Sequence, residues 1–215
     1  MTTPLYDTGY WSIKGLGAPL RMLLCWANVP FTATMYDVKM LEGRGLDAKG
    51  WFGPKKALKE KNPFVNLPYV AAGDDVLVSQ SNACFSFLGR ELNMMGQSPN
   101  ELIMCETLLC EMMDLRNSMT RFAYSDEFAN VEADGVALLS NVMGKNGVLQ
   151  KIELHLANEK LSAPSRSDRF LVGGNCTAPD FHLYEMLDQY LLLSEFVKKG
   201  DLLLEFPNLR GECKI

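Results

Sequence analysis

The stretch from Leu5 to Leu24 constrains the fold of this chain more than any other. A short apolar strand at its start runs through Tyr10 into a polar, glycine-containing turn, and an amphipathic helix begins near Leu16. A strand that ends at a loop before a helix N-terminus leaves side chains and backbone N–H groups facing a crevice, where anions and thiolates bind well. Tyr10 is therefore the first residue to consider for chemistry.

The composition is that of an ordinary globular protein. The 215 residues are 47% hydrophobic and 22% charged, which suits one large domain or two small ones with a sizeable core. The net charge of −5 argues against nucleic acid as a partner, because phosphate binding needs a basic face. The lysine-rich segment 49–61 could hold a small anionic ligand, although such a run usually faces solvent.

Cysteine and histidine usage predicts a reduced protein without a metal site. None of the six cysteines forms a C-x-x-C pair, and several lie in apolar helical runs, as in cytoplasmic proteins. His155 and His182 are the only histidines, so we expect neither a zinc site nor a Ser/His/Asp triad. The first residues do not resemble a signal peptide, and no apolar run is long enough to cross a bilayer.

The order of predicted elements divides the chain in two. Residues 1–93 read as strand, helix, strand, helix, strand, strand and helix, which predicts an α/β domain. Residues 94–99 are typical of a linker, and only helical patterns follow, so residues 100–215 are predicted to form a helical domain. There we expect a long helix at 101–124, one helix or a pair at 127–161, a loop at 162–176 and a helix at 177–199.

Several local predictions follow from turn and cap residues. Segment 40–62 is predicted to be loosely helical, with Trp51 and Phe52 as its apolar anchors. Pro68 is the first residue of a predicted strand, where proline is tolerated and its peptide bond can be cis. The polar residues 79–82 are expected to cap the next helix. Segment 177–180, which begins with threonine and ends with aspartate, predicts a capping box.

One face of the long helix is polar. Asp114, Asn117, Arg121 and Tyr124 are spaced by three, four and three residues and therefore lie on the same side. Such a face either meets solvent, which is the commoner case, or lines a cleft.

Short segments that occur in order along the chain resemble a cytosolic glutathione transferase, most closely of the mu class. They are Gly9-Tyr10-Trp11, Ile13-Lys14-Gly15-Leu16, Asn66-Leu67-Pro68-Tyr69, Gln80-Ser81-Asn82-Ala83, Thr177-Ala178-Pro179-Asp180-Phe181 and Phe206-Pro207-Asn208-Leu209. Each alone is a weak signal, but their order and separations make the set specific. The resemblance implies the glutathione transferase fold, an α/β thioredoxin-like N-terminal domain followed by an all-α C-terminal domain.

The resemblance implies that the protein joins the glutathione thiolate to a small electrophile, as in detoxification. A free thiol titrates near ~8.5, so little of it is thiolate at neutral pH. The Tyr10 hydroxyl would donate a hydrogen bond to the sulfur and favour its ionised form. Without the resemblance, a tyrosine at a strand end is more often a core or edge residue.

The resemblance also implies the glutathione contacts. Trp51 with either Lys55 or Lys56 would hold the glycine carboxylate, and the backbone of Leu67 would pair with the cysteinyl part. The γ-glutamyl carboxylate would lie at the start of a helix. The complete implied set is Tyr10, Trp11, Trp51, Lys55, Lys56, Asn66, Leu67, Pro68, Gln80, Ser81 and Asp114.

A homodimer is a further implication of the resemblance. Phe64 matches an aromatic residue that inserts between helices of the partner, and Asp114 matches an acidic residue lent to the partner's γ-glutamyl amine. Because an exposed phenylalanine gives up about 2 kcal/mol of burial energy, a second subunit would explain Phe64. The implied electrophile pocket consists of Leu16, Asn117, Arg121 and Tyr124.

Two departures from the family pattern keep alternatives open. Asn117 and Arg121 stand where mu enzymes have apolar residues, which favours a polar or anionic second substrate. Only six residues follow Leu209, so we expect the last helices to be missing and the pocket to be open. A non-catalytic scaffold or ligand carrier of the same fold, or an isomerase that uses glutathione as a cofactor, are the alternatives.

Overall fold

The chain divides into two compact units. A computed structural model describes residues 5–40, 46–124, 130–158 and 170–212. The units are Met1–Leu92 and Asn93–Ile215, which we call the N-terminal unit and the helical unit. Most of the predicted loop 162–176, and Cys213, lie outside the described residues.

The N-terminal unit alternates strands and helices in the predicted order, with one small addition. Its elements are β1 (Tyr6–Trp11), α1 (Gly17–Trp26), β2 (Phe31–Tyr36), β3 (Lys39–Met40), β4 (Leu46–Asp47), α2 (Lys49–Lys61), β5 (Tyr69–Ala72), β6 (Val76–Ser79) and α3 (Ser81–Glu91). The short β3–β4 pair was not predicted, because two-residue strands carry too few side chains to show an alternating pattern.

A four-stranded mixed sheet forms the centre of this unit. Its strand order is β2-β1-β5-β6, in which β1 pairs parallel with β2 and antiparallel with β5. The predicted hairpin connects β5 with β6. Gly9 lies in the middle of β1 opposite Tyr69 of β5, and a Cβ at Gly9 would overlap the Tyr69 ring. A larger residue would therefore not fit at this position, directly before Tyr10.

Segment α2 differs from the prediction in which side chain it buries. Trp51 is 1% exposed and packs between Tyr36 and Tyr69, with ring centroids 5.0 and 6.2 Å away. Phe52 is 63% exposed, so its predicted role as a second anchor is wrong. Adjacent residues of a helix point about 100° apart, so Trp51 and Phe52 cannot both face the core. The buried side of α2 carries Trp51 and Leu58, which are seven residues apart and therefore lie on the same side of the helix.

The helical unit contains the predicted long helix, a pair of shorter helices and a late buried helix. Its elements are α4 (Pro99–Tyr124), α5 (Val131–Met143), α6 (Val148–Ala157), α7 (Ala178–Phe196), a 3-10 turn (Leu202–Glu205) and α8 (Pro207–Glu212). Helices α4 and α7 pack together, and the Tyr190 hydroxyl donates a hydrogen bond to the Leu115 carbonyl at 2.9 Å. No described helix is both long and apolar enough to span a membrane.

The predicted capping box at the start of α7 is confirmed. The Asp180 carboxylate accepts hydrogen bonds from the Thr177 backbone N–H, the Thr177 hydroxyl and the Leu171 backbone N–H, each at 2.7 Å. Burial raises the pKa of Asp180 to about 6, while these donors oppose the rise. Asp180 therefore ties the chain before α7 to the helix itself.

A second buried carboxylate connects distant parts of the helical unit. Glu153 of α6 accepts hydrogen bonds from the Asn208 backbone and side chain and from the Leu209 backbone, at 2.7 to 3.1 Å. These amides belong to the first turn of α8, whose positive end favours a carboxylate. The sequence motif at 206–209 thus has a structural use in this chain.

Candidate active site

Tyr10 lies at the end of β1, against the glycine turn that precedes α1. The residue is 6% exposed, and a Cβ at Gly15 would lie 2.9 Å from the Tyr10 hydroxyl oxygen. Gly15 has a φ of +42°, and a Cβ at Gly17 would contact the Tyr10 side chain at 2.6 Å. Among the described residues, the Tyr10 hydroxyl takes part in no hydrogen bond. The turn therefore leaves room for this hydroxyl, which keeps its donor capacity.

Two neighbours of Tyr10 have different surroundings. Trp11 is half-buried and packs against the cluster of Tyr36, Trp51 and Tyr69. Leu16, which precedes the first residue of α1, is 5% exposed. Trp11 and Leu16 therefore both contribute to the packing around the end of β1.

Trp51, Lys55 and Asn66 come together at one place. The Lys55 ammonium lies 5.6 Å from the centre of the Trp51 ring, and it donates a hydrogen bond to Asn66 Oδ1 at 3.3 Å. Lys56, the next residue of α2, is exposed. The sequence left open which of the two lysines contacts the ligand. In the structure they differ, because Lys55 contacts Trp51 and Asn66 and Lys56 does not.

The backbone of the segment before β5 is hydrogen-bonded at Asn66 and makes no backbone hydrogen bond to a described residue at Leu67. The Leu67-Pro68 bond is cis, as predicted. The Ser79 hydroxyl accepts from the Asn66 backbone N–H at 2.8 Å and donates to the Asn66 carbonyl at 3.1 Å. Ladder pairing of β5 begins at Tyr69, and Leu67 makes no backbone hydrogen bond to another described residue. The Leu67 backbone is thus positioned to pair with an extended ligand.

The N-cap residue of α3, one of the polar residues 79–82 expected to cap this helix, is Gln80. It is exposed, and its side chain makes no capping hydrogen bond. Its φ of +75° is in a region that residues with a Cβ rarely adopt. Ser81 follows as the first helical residue and is 7% exposed.

The predicted residues of α4 share one exposed face. Asp114, Asn117, Arg121 and Tyr124 are all exposed, and Tyr124 is 64% exposed. Asn117 accepts a hydrogen bond from the Arg116 guanidinium at 3.2 Å. Arg121 also lines a groove of about 360 Å³ between α4, α5 and the start of α6, whose lining includes neither Asn117 nor Tyr124.

Phe64 is presented by a turn that the sequence analysis did not identify. The residue is 79% exposed, and its backbone N–H donates to Asn62 Oδ1 at 2.9 Å. The Asn62 amide in turn donates to the Leu77 carbonyl of β6 at 2.9 Å. An asparagine two residues before a solvent-facing aromatic is the available signal, because Asn side chains accept from the backbone two positions later.

Buried cysteines provide no competing nucleophile. Burial raises the pKa of Cys84 and Cys105 to about 12, so both stay protonated near neutral pH. The predicted burial of several thiols is confirmed for these two and for Cys176, whereas Cys25 and Cys110 are exposed. Within the described residues, no group of three or more His, Cys, Asp or Glu is placed to hold a metal ion.

Comparison with known proteins identifies the family. A family model described as glutathione S-transferase, C-terminal domain, matches residues 113–212. Glutathione S-transferase 2 of Gallus gallus is 33% identical over 181 residues, which are 84% of this chain and 73% of that protein. Glutathione S-transferase Mu 6 of Mus musculus is 30% identical over 210 residues, with 94% and 86% covered.

A solved structure agrees with the predicted fold class. The pi-class glutathione S-transferase of Onchocerca volvulus superposes with a TM-score of 0.74 at 24% identity, covering 98% of this chain and 86% of that one. The α/β thioredoxin-like unit followed by helices is thereby confirmed as the glutathione transferase fold. The chain belongs to the glutathione S-transferase family, and its curated relatives make it mu-like.

Proposed function

We propose that the protein is a glutathione transferase that joins the glutathione thiolate to a small electrophilic carbon. The observation that carries this proposal is the position of Tyr10, whose hydroxyl lies beside the glycine turn before α1 with its donor unused among the described residues. A hydroxyl in this place can donate to a sulfur anion and lower the thiol pKa. The names of the relatives support the same activity.

The chemical step forms a carbon–sulfur bond. The glutathione thiol releases its proton to solvent, and the Tyr10 hydroxyl donates a hydrogen bond to the resulting thiolate. The sulfur lone pair attacks the electrophilic carbon, and the bonding electrons leave with a leaving group or move to an activated neighbouring atom, which then takes a proton. The hydrogen bond from Tyr10 lowers the free energy of forming the thiolate, and Tyr10 keeps its own proton.

The remaining residues of the N-terminal unit bind the tripeptide. Lys55 pairs with the glycine carboxylate over the Trp51 ring, because it already contacts Trp51 and Asn66. The Leu67 N–H and C=O, next to Pro68, pair with the cysteinyl unit as a short added strand. We propose that Trp11 packs at this cleft and that Lys56 does not contact glutathione.

The γ-glutamyl carboxylate binds at the start of α3. Gln80 holds a strained positive φ and does not cap the helix with its side chain, and such strain is typical of ligand sites. The Ser81 hydroxyl and the N-terminal end of α3 then receive the carboxylate.

The second substrate and the assembly follow the family pattern. We assign Leu16, Asn117, Arg121 and Tyr124 to the electrophile. We also propose a homodimer in which Phe64 inserts into the partner and Asp114 reaches the partner's γ-glutamyl amine. The 79% exposure of Phe64 supports such a contact. The free cysteines support a cytoplasmic location, and the role we propose is detoxification. We propose domains at residues 1–93 and 100–215, joined by a linker at 94–99.

A scaffold or ligand carrier remains the second candidate function. The exposed polar face of Asn117 and Tyr124 on α4 favours it, since a catalytic pocket needs to exclude water. Isothermal titration with glutathione and turnover assays on several electrophiles separate the two. The transferase proposal expects binding together with conjugation, whereas binding without conjugation supports the scaffold, and an absence of binding contradicts both.

A further inference from the structure

Ser79, the last residue of β6, holds the backbone before β5 with a single hydroxyl group. Its oxygen accepts a hydrogen bond from the Asn66 N–H at 2.8 Å and donates one to the Asn66 carbonyl at 3.1 Å. Ser79 is 7% exposed, and hydrogen bonds are stronger in such a water-poor environment. One side-chain atom therefore satisfies both backbone groups of one residue.

The ladder between β5 and β6 cannot supply these bonds. Its last pair joins Tyr69 to Ser79. The residue before Tyr69 is Pro68, which has no N–H to donate, and the residue after Ser79 is Gln80, whose φ of +75° is not that of a strand. The Ser79 side chain thus extends the attachment to β6 beyond the last backbone pair, as far as Asn66.

A second side chain fixes the other end of the segment 62–66. The Asn62 amide donates a hydrogen bond to the Leu77 carbonyl of β6 at 2.9 Å. Between the two attachments, Val65 is 2% exposed and belongs to the aromatic cluster around Trp51. Because β6 is an edge strand of the sheet, its outer side is available for this segment. The segment is therefore attached to β6 at both ends.

Asn66 connects this attachment to two proposed glutathione contacts. Its Oδ1 accepts a hydrogen bond from the Lys55 ammonium at 3.3 Å, and Leu67 is the next residue. The Asn66 carbonyl and the Leu67 N–H belong to one planar trans peptide, so they point in opposite directions. Since the carbonyl points to Ser79, the Leu67 N–H points away from β6.

We infer that Ser79 is a positioning residue for glutathione, because it directs the Leu67 N–H toward the cysteinyl unit of the ligand by holding the Asn66 carbonyl. This role rests on the proposed function, in which the Leu67 backbone pairs with that unit. A hydroxyl donates and accepts at one atom, so threonine can replace serine here and alanine cannot. Ser79 acts on binding, whereas the thiolate depends on Tyr10 of β1.

The test compares three variants of the full chain with the wild type. Ser79→Ala removes the hydroxyl and Ser79→Thr keeps it. Ser194→Ala is the matched control, because Ser194 is 1% exposed and its hydroxyl donates to the Gly200 carbonyl at 2.8 Å in the helical unit. Isothermal titration measures glutathione affinity, and conjugation of chlorodinitrobenzene gives KM and kcat. Circular dichroism and Tm values establish that each variant is folded.

We expect Ser79→Ala to weaken glutathione binding about tenfold, because the Asn66 peptide loses two hydrogen bonds. KM for glutathione should rise by a similar factor while kcat stays within about twofold, since the lost contacts serve binding and not the transition state alone. Ser79→Thr and Ser194→Ala should bind glutathione like the wild type. Unchanged affinity in Ser79→Ala overturns the role of Ser79, as does an equal loss of affinity in Ser194→Ala.

Amide hydrogen exchange of the wild type, followed by NMR, tests the same role without a variant. The Asn66 N–H should be protected with and without glutathione, whereas the Leu67 N–H should become protected only when glutathione binds. An unprotected Asn66 N–H overturns the role of Ser79 even if Ser79→Ala does not fold. If the wild type does not bind glutathione, the proposed function fails and this role fails with it. Normal binding by Ser79→Ala contradicts the role of Ser79 alone.

Discussion

Two helices of this protein start in opposite ways. At α7, the Asp180 carboxylate is 3% exposed and accepts three hydrogen bonds from Thr177 and Leu171. At α3, the N-cap residue Gln80 is exposed, has a φ of +75° and provides no capping side chain. The start of α7 is capped by the protein's own Asp180 carboxylate, and we propose that a carboxylate of the ligand binds at the start of α3.

The starts of α7 and α3 differ at the third helical residue. In α7 this position is Asp180, which supplies the carboxylate of the capping box, whereas in α3 it is Ala83. Both helices follow polar residues, so their sequences look alike at first reading. In α3, neither the N-cap side chain of Gln80 nor the third helical residue supplies a carboxylate like the one that caps α7.

Removing the α7 cap is expected to have the largest effect on stability. Asp180→Ala leaves the buried N–H groups of Leu171 and Thr177 without an acceptor, which costs about 3 kcal/mol of unfolding free energy. Urea unfolding measures this loss. Asp134→Ala is the matched control at an exposed helix start and costs about 1 kcal/mol or less. Equal losses in the two variants contradict the structural role of Asp180.

Giving α3 a cap of its own sharpens the comparison. Ala83→Asp places a carboxylate at the exposed third position, so we expect unfolding free energy to stay constant or rise by about 0.5 kcal/mol. Glutathione affinity should fall about tenfold, because the new carboxylate repels that of the ligand. Ala83→Asn is the neutral control, and isothermal titration gives both values. Unchanged affinity in Ala83→Asp shows that no ligand carboxylate binds at α3.

The smallest effect concerns the other carboxylate of glutathione. Lys55→Met removes an ammonium already placed over Trp51, so glutathione affinity should fall about fivefold, within the range of partly exposed charge pairs. Lys56→Met removes the neighbouring exposed charge and should leave affinity within about twofold. The same titration reports both variants, and a larger effect at Lys56 reverses the assignment.

Features set by short sequence spacings were predicted correctly. The capping box joins residues three apart, the β5–β6 hairpin has a three-residue turn, and α4 has a long helical pattern, so each is visible within a short window. Glu153 could not be predicted as the cap of α8, because its partners lie 55 and 56 residues further along the chain.

The resemblance proposes the residues of the candidate site, whereas their geometry comes from the structure. Resemblance named both Lys55 and Lys56, and only the phase of α2 around Trp51 separates them. Helical spacing grouped Arg121 with Tyr124, and both are exposed, but only Arg121 also borders a groove that α4 forms with α5 and the start of α6. Packing between elements decides such cases, and sequence spacing along one helix does not contain it.

The thiol pKa of bound glutathione tests the central claim most directly. Ultraviolet absorbance of the thiolate, followed against pH, is compared between the wild type and Tyr10→Phe. A hydrogen bond to a charged group contributes about 1.5–3 kcal/mol, so the variant should raise the bound thiol pKa by about 1–2 pH units and lower conjugation at neutral pH about 10- to 100-fold. An unchanged thiol pKa together with unchanged turnover contradicts the role of the Tyr10 hydroxyl.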